Sequence, residues 1–182
     1  MTLHTGRPQN TADREAREVR TYDKLDSLGI VYTRVDHAPA ATMEDCLAVE
    51  EVLGTAMCKN LFLTNRQHTA FYLLLMPGDK PFKTKELSAE INTARLSFGT
   101  PEEMEELLGT HPGSATVLGL MYDRDRAVRL LIDRDILAAE RIGVHPLVNT
   151  ASVGLAVGDI LDVILPALGH TYTAVTLHGT DA

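Results

Sequence analysis

A lysine and an asparagine stand directly ahead of an apolar strand in "CKNLFL", Cys58 to Leu63. A lysine is almost never buried unless something pairs with it. Lys59 and Asn60 at the mouth of Leu61, Phe62 and Leu63 therefore call for a polar partner. Two other segments carry polar groups with no obvious structural need. In "HPGSATVLGL", Gly113 and Ser114 can present backbone N–H groups; "GVHPLVNTAS" holds His145, Asn149, Thr150 and Ser152. A cation, carboxamides and backbone donors are the groups that hold a polar substrate and meet negative charge on an oxygen. Each segment taken alone also has a structural reading. Pro146 fixes its turn, and Asn149 is a common turn former. Cys58 reads as core filling, because adjacent strand residues point to opposite faces and Lys59 cannot activate its thiol. No P-loop, GxGxxG, GxSxG or HExxH motif is present.

The elements that must position these residues follow from periodicity. "TADREAREVRTYDKLDSLG" places Val19, Tyr22, Leu25 and Leu28 at helical spacing, with Thr11 as cap and Gly29 as stop. "IVYTRVDH" alternates like a strand. "TMEDCLAVEEVLG" reads as a helix capped by Thr42, with Glu44 and Asp45 at its positive end. Residues 57–78 read as a hairpin about the polar turn 65–68. "TPEEMEELLG" is a helix with Thr100 as cap and Pro101 at its first position. "TKELSAEI" is a shorter helix, "VGDILDVILPALG" a late helix interrupted or ended near Pro166, and "YTAVTL" a final strand. Apolar runs flank the charged turn "DRDR". Asp133 and Asp135 read as a strand-end turn and helix cap. Irregular alternation with frequent hairpins predicts a single α/β domain, a mixed sheet with peripheral helices. Residues 1–10 are expected to be disordered.

Composition narrows the class. The chain has 182 residues, 45% of them apolar and 23% charged, which suits one soluble domain. No apolar run reaches the ~18 residues that span a bilayer, and no secretory signal is visible. Two cysteines, Cys46 and Cys58, fit no zinc spacing, so a reduced, cytoplasmic protein is expected. A net charge of −8 argues against a nonspecific nucleic-acid coat but allows a local basic patch. The densest cluster is Lys80, Lys83 and Lys85 in "GDKPFKTK", read either as a solvated face or as a phosphate-contacting edge.

Taken together, "KNLFL", "PGSATVLGL", the acid-ended strand "LLID" and "HPLVNTAS" resemble the YbaK/ProX family of aminoacyl-tRNA deacylases. The likeness is closest to the ProX branch of free-standing prolyl-tRNA editing proteins and runs from about Thr11 to Leu177. It implies an editing domain over residues 11–182, of the type associated with aminoacyl-tRNA synthetases, built on a barrel-like mixed sheet. It implies hydrolysis of the ester joining a wrong amino acid, usually alanine, to proline tRNA. Lys59 matches the family's key lysine, Gly113 and Ser114 the start of its Gly-x-x-x-Pro loop, and His145 and Asn149 the polar residues of its His-Pro-Leu segment. The alanyl-type editing signature, H-x-x-x-H with a later cysteine, is absent, so neither zinc nor any other cofactor is expected. One departure stands out: Val117 occupies the position of the loop's proline. It frees φ and restores a backbone donor, which bears on substrate preference more than on reaction class.

The physical logic is that of a second sieve. A pocket that fits proline discriminates against alanine by only ~1–3 kcal/mol per lost methylene, so a separate small site must remove the error. On this reading Gly113 and Ser114 offer N–H groups to the oxyanion. Lys59 neutralises developing charge or binds the terminal phosphate or carbonyl. Asn60, Asn149 and Ser152 hold the sugar or amino group. His145 either contacts substrate or hydrogen-bonds a backbone carbonyl beside Pro146. Partners are the acceptor end of mischarged tRNA, with prolyl-tRNA synthetase open as a second; no membrane is involved, and a monomer is expected. The alternatives are a YbaK-type hydrolase for cysteine on proline tRNA, a noncatalytic module that binds tRNA or synthetase, and a small-molecule esterase.

Overall fold

The computed structural model describes residues 1–40 and 42–180, with Met43 by its backbone alone. In chain order the strands are β1 (Leu3–Thr5), β2 (Thr33–Asp36), β3 (Cys58–Thr64), β4 (Phe71–Pro77), β5 (Ser97–Phe98), β6 (Val128–Asp133), β7 (Arg141–Val144), β8 (Ala151–Ala156) and β9 (Tyr172–Val175). The helices that matter below are α1 (Ala16–Ser27), α2 (Met43–Leu53), α3 (Thr84–Glu90), α4 (Pro101–Leu108) and α5 (Arg134–Leu137). The strands form two sheets, β1-β2-β8-β7 and β5-β3-β4-β6-β9. The first is antiparallel throughout. The second is mixed: β3 and β4 are the expected hairpin, while β4-β6 and β6-β9 run parallel.

The sheets do not close into the expected barrel. They pack through the main core, and among the described residues their backbones join at one isolated bridge, Met57 with Gly143. The approach is tight because both neighbours of Met57 lack a side chain. A Cβ on Gly143 would lie 2.5 Å from Met57 Sδ, and one on Gly78 would lie 2.5 Å from the Met57 carbonyl oxygen. The main core, around Phe62, Leu73, Leu130, Val153 and Leu155, fills the space between sheets and α1. A smaller one, with Leu63, Leu74, Met76 and Leu87, lies on the other face of the larger sheet under α3.

Local chemistry explains the element boundaries. Thr42 and Asp45 form a capping box on α2, and Thr100 and Glu103 form one on α4, each satisfying donors the first helical turn leaves free. The first helix starts later than expected, at Ala16. Thr11 opens a turn instead, and Arg14 leaves the helix to grip Asp36 with two 2.9 Å bonds. Residues 1–10, expected to be disordered, carry β1 paired to β2. Arg34 Nε donates to the Gly6 carbonyl, and Arg7 reaches Asp23 and Asp26. Of the runs flanking "DRDR", only the second is a strand; Val117–Tyr122 is a 3-10 helix. The late helical stretch continues through Pro166, with a π segment at Ile160–Ile164 ahead of Leu165–Leu168.

Candidate active site

Strand alternation divides the two residues at the mouth of β3. Lys59 leaves with Leu61 and Leu63 toward the smaller core; Asn60 leaves with Cys58 and Phe62 toward the main core. The Lys59 ammonium donates to the Lys80 carbonyl at 2.5 Å. That carbonyl is itself held. Lys80 Nζ donates at 2.7 Å to each of Asp133, Asp135 and the Leu177 carbonyl. Burial would lower the pKa of Lys80, but the two carboxylates outweigh it and raise the value. Lys80 is thus a structural cation. Asp133 also accepts from the Asp135 N–H and caps α5, the expected strand-end cap.

Asn60 faces the 111–117 loop, where its Oδ1 accepts the Val117 N–H at 2.9 Å. The donor restored by a non-proline residue at 117 is therefore the one that holds Asn60. Gly113 adopts φ +98°, a region open to glycine, and is exposed. A Cβ there would lie 3.6 Å from Asn149 Nδ2, so this loop adjoins the 145–150 turn. Thr110 ties them from beneath: its hydroxyl donates to the Leu147 carbonyl at 3.1 Å and lies 2.8 Å from Ser114 Oγ. Ser114 is fully buried, and its N–H closes a turn onto the His111 carbonyl. Among the described residues, the N–H groups of Gly113 and Ala115 have no such partner. The Ser114 N–H is thus taken by the turn, while exposed Gly113 and half-buried Ala115 keep theirs open.

His145 Nδ1 lies 2.9 Å from the Ala151 carbonyl. A ring nitrogen facing a carbonyl carries the proton, so the neutral ring keeps an acceptor at Nε2. Burial lowers the pKa of His145; the Ala151 bond opposes this, and neighbouring His37 adds to it. The two rings lie 6.2 Å apart. His37 Nδ1 faces the Ala38 carbonyl at 2.8 Å, leaving Nε2 to accept from Ser152 Oγ at 2.8 Å. Ser152 is fully buried, so it reaches the site only through His37. Asp36, just before His37, is held by hydrogen bonds from Arg14 and Arg34, which lower its pKa despite burial.

The structure thus brings Asn60, the 113–117 loop and Asn149 together on one side of β3, sets His145 against the Ala151 carbonyl and the His37 ring, and puts the Lys59 ammonium on the other side of β3. Sequence reasoning missed His37; its only signal is a histidine at a strand end in "VDHAP". Cys58 is inert, its thiol pushed up to about 12 by burial and then by Glu50. Among the described residues, no group of three or more His, Cys, Asp or Glu side chains is placed to hold a metal ion. No helix of the described residues is long and apolar enough to cross a membrane.

The family model for the aminoacyl-tRNA editing domain matches residues 37–163. The prolyl-tRNA editing protein ProX of Acetoanaerobium sticklandii is 30% identical over 154 residues, covering 85% of this chain and 93% of that protein. Prolyl-tRNA synthetase associated domain-containing protein 1 of Danio rerio is 29% identical over 139 residues, 75% of each chain. Among solved structures, a candidate trans-editing enzyme for prolyl tRNA synthetase superposes with a TM-score of 0.65 at 17% identity, over 90% of this chain and 98% of that one. That last likeness speaks for the fold alone.

Proposed function

The chain belongs to the aminoacyl-tRNA editing domain family, and from that premise we propose that it is a trans-editing deacylase for mischarged proline tRNA, with alanine its preferred cargo. The observation that carries this reading is the convergence of Asn60, the 113–117 loop and the 145–150 turn beside β3.

An aminoacyl ester is already activated, so the site needs to place a water and meet the oxyanion. Water adds to the ester carbonyl carbon; the bond to the ribose oxygen then breaks, and that oxygen takes a proton. The N–H groups of Gly113 and Ala115 meet the carbonyl oxygen as it gains charge. With its Oδ1 on Val117 and one Nδ2 hydrogen directed to the Cys58 carbonyl at 3.5 Å, Asn60 keeps its second Nδ2 hydrogen as a donor to the sugar. Asn149 Nδ2, beside Gly113, is a second such donor. Neutral His145 accepts at Nε2 from the cargo's amino group or from the water, while Ser152 and His37 brace the wall behind it. Lys59, at the strand end, attracts the terminal phosphate from the Lys80 side. The partner is the tRNA acceptor end, with prolyl-tRNA synthetase as the protein that makes the error, and the cytoplasm is where both are met.

Selectivity against proline is steric, since a ring that clashes in a close-packed pocket is accommodated only at a cost. The test is a side-by-side deacylation of alanyl-, cysteinyl- and prolyl-tRNA(Pro), with and without chelator. The expected result is metal-independent release of alanine at least roughly tenfold faster than cysteine, or ~1.4 kcal/mol in barrier, with proline spared. Equal or faster cysteine release replaces alanine with cysteine as cargo. Release from none of them leaves a binding module.

A further inference from the structure

Next to the Lys59 side of β3 lies a concave pocket of about 620 Å³ lined by Phe82, Lys83, Thr84, Lys85, Ser88 and Arg95. Lys85 and Arg95 are exposed, and neither forms an ion pair among the described residues. By contrast, Arg7, Arg14, Arg17 and Lys80 are committed to carboxylates. At the pocket's edge Phe98 is 59% exposed, which is unusual for so large an apolar ring, and it meets Phe82 edge-on with centroids 6.0 Å apart.

The register gives this surface a direction. Phe98 pairs with Leu63, four residues along β3 from Lys59. At ~3.3 Å per residue the strip from the Lys59 end to Phe98 is about 13 Å long. It starts at Lys80, whose carbonyl holds Lys59, and continues through Phe82 and Lys83. Cations beside an exposed aromatic ring, on a chain of net charge −8, form the arrangement that binds single-stranded nucleic acid: phosphates on the cations, a base stacked on the ring.

We propose that this strip carries the single-stranded 3′ end of the tRNA, the nucleotides just before the esterified one. The proposal rests on the deacylase reading for its choice of RNA. It makes the surface, and not the catalytic pocket, the main source of tRNA affinity.

The test measures binding of an uncharged acceptor-stem hairpin, 5′-labelled, with and without its single-stranded 3′ tail, across a salt series. Wild type is expected to prefer the tailed hairpin. Lys85→Glu with Arg95→Glu should weaken that binding more than tenfold and make the log–log salt slope shallower by about 1.4, the effect of two single-strand phosphate contacts. Phe98→Ala should weaken it on the order of tenfold with the slope unchanged. Arg129→Glu, an exposed cation on β6, should bind like wild type. Wild-type affinity in the Lys85/Arg95 double variant, or an equal loss in Arg129→Glu, overturns the proposal. Because no ester is present, the readout is independent of hydrolysis. An active deacylase with an indifferent strip refutes the strip alone; a working strip on a chain that hydrolyses nothing refutes the deacylase reading alone.

Discussion

The bond between Asn60 and Val117 can be weighed by a double-mutant cycle. Val117 is fully buried, so Asn60→Ala leaves an amide N–H without a partner and away from water, at a cost of about 1–3 kcal/mol. Val117→Pro removes that donor altogether. The backbone accepts the change. Thr116 is extended at φ −160°, ψ 147°, as a residue before proline prefers, and position 117 opens a 3-10 helix, where φ suits the ring. Proline restricts the unfolded chain, which stabilises by ~0.4–1 kcal/mol. The lost bond, worth ~1 kcal/mol net, offsets this. Val117→Pro alone should therefore sit within about 1 kcal/mol of wild type. In the proline background Asn60→Ala has no donor left to orphan, so its cost should shrink by at least ~1 kcal/mol. Packing changes from the ring occur in both proline corners of the cycle and cancel. Urea titrations of all four proteins give the values, provided the slopes agree. If Asn60→Ala costs the same in both backgrounds to within ~0.3 kcal/mol, the bond does not hold Asn60, and the account of its outward donor falls with it.

Lys59→Ala should lower kcat/KM on alanyl-tRNA(Pro) by about 10- to 10²-fold, chiefly through KM, the scale of one hydrogen bond to a charged group, with its urea midpoint near wild type; an unchanged KM would remove Lys59 from phosphate binding. Lys80→Met should cost about 3–5 kcal/mol, because it leaves Asp133, whose side chain is 1% exposed, as an unpaired buried charge. Asp135→Asn, at 67% exposure, should cost under ~1 kcal/mol; equal losses in the two would show that Asp133 is not the partner that matters. His145 binds protons less readily folded than unfolded, so as pH falls below about 6.5 the unfolded chain takes up its proton first. Its contribution to stability is therefore complete above 6.5 and is lost as pH drops toward the lower folded value. Deacylation should fall over the same window, and His145→Gln should flatten the stability change; an unaltered profile in that variant would assign the effect elsewhere.

Much of the fold was legible because its signals are local. The two capping boxes and the hairpin are spelled out within a few residues of where they act. What was not legible depends on long-range partners. The carboxylates that claim Lys80 lie 53 and 55 residues away, so a cluster of three lysines could not reveal that one of them is a half-buried anchor. The Ser114 amide was offered to substrate, but a turn to His111 had already taken it. The value of Val117 was half visible: the restored donor follows from its not being proline, but its acceptor on Asn60 does not. The separation of Lys59 from Asn60 was readable, since the alternation that parts Cys58 from Lys59 parts the next pair too. The barrel expectation failed at one place, where the only backbone bridge between the two sheets among the described residues is the isolated one of Met57 with Gly143.

That seam also sets when the enzyme comes into being. The ribosome delivers Met57 and Gly78 early and Gly143 late, and the turn carrying His145 and Asn149 follows directly behind Gly143. A nascent chain that has made only the β3–β4 hairpin carries Lys59 and Asn60 without the partners at Val117, Asp133 and Leu177 that hold Asn60 and, through Lys80, Lys59. The last wall arrives with β7 and β8, which pair onto the earlier β2 and pass Gly143 close beside Met57. A methyl at 143 would meet Met57 Sδ, Leu53 and the Ala56 carbonyl and press on the seam without touching a substrate, and one at 78 would press on the Met57 carbonyl beside it. The placing of the 145–150 turn thus hangs on a joint where the backbone at Gly143 runs bare against Met57.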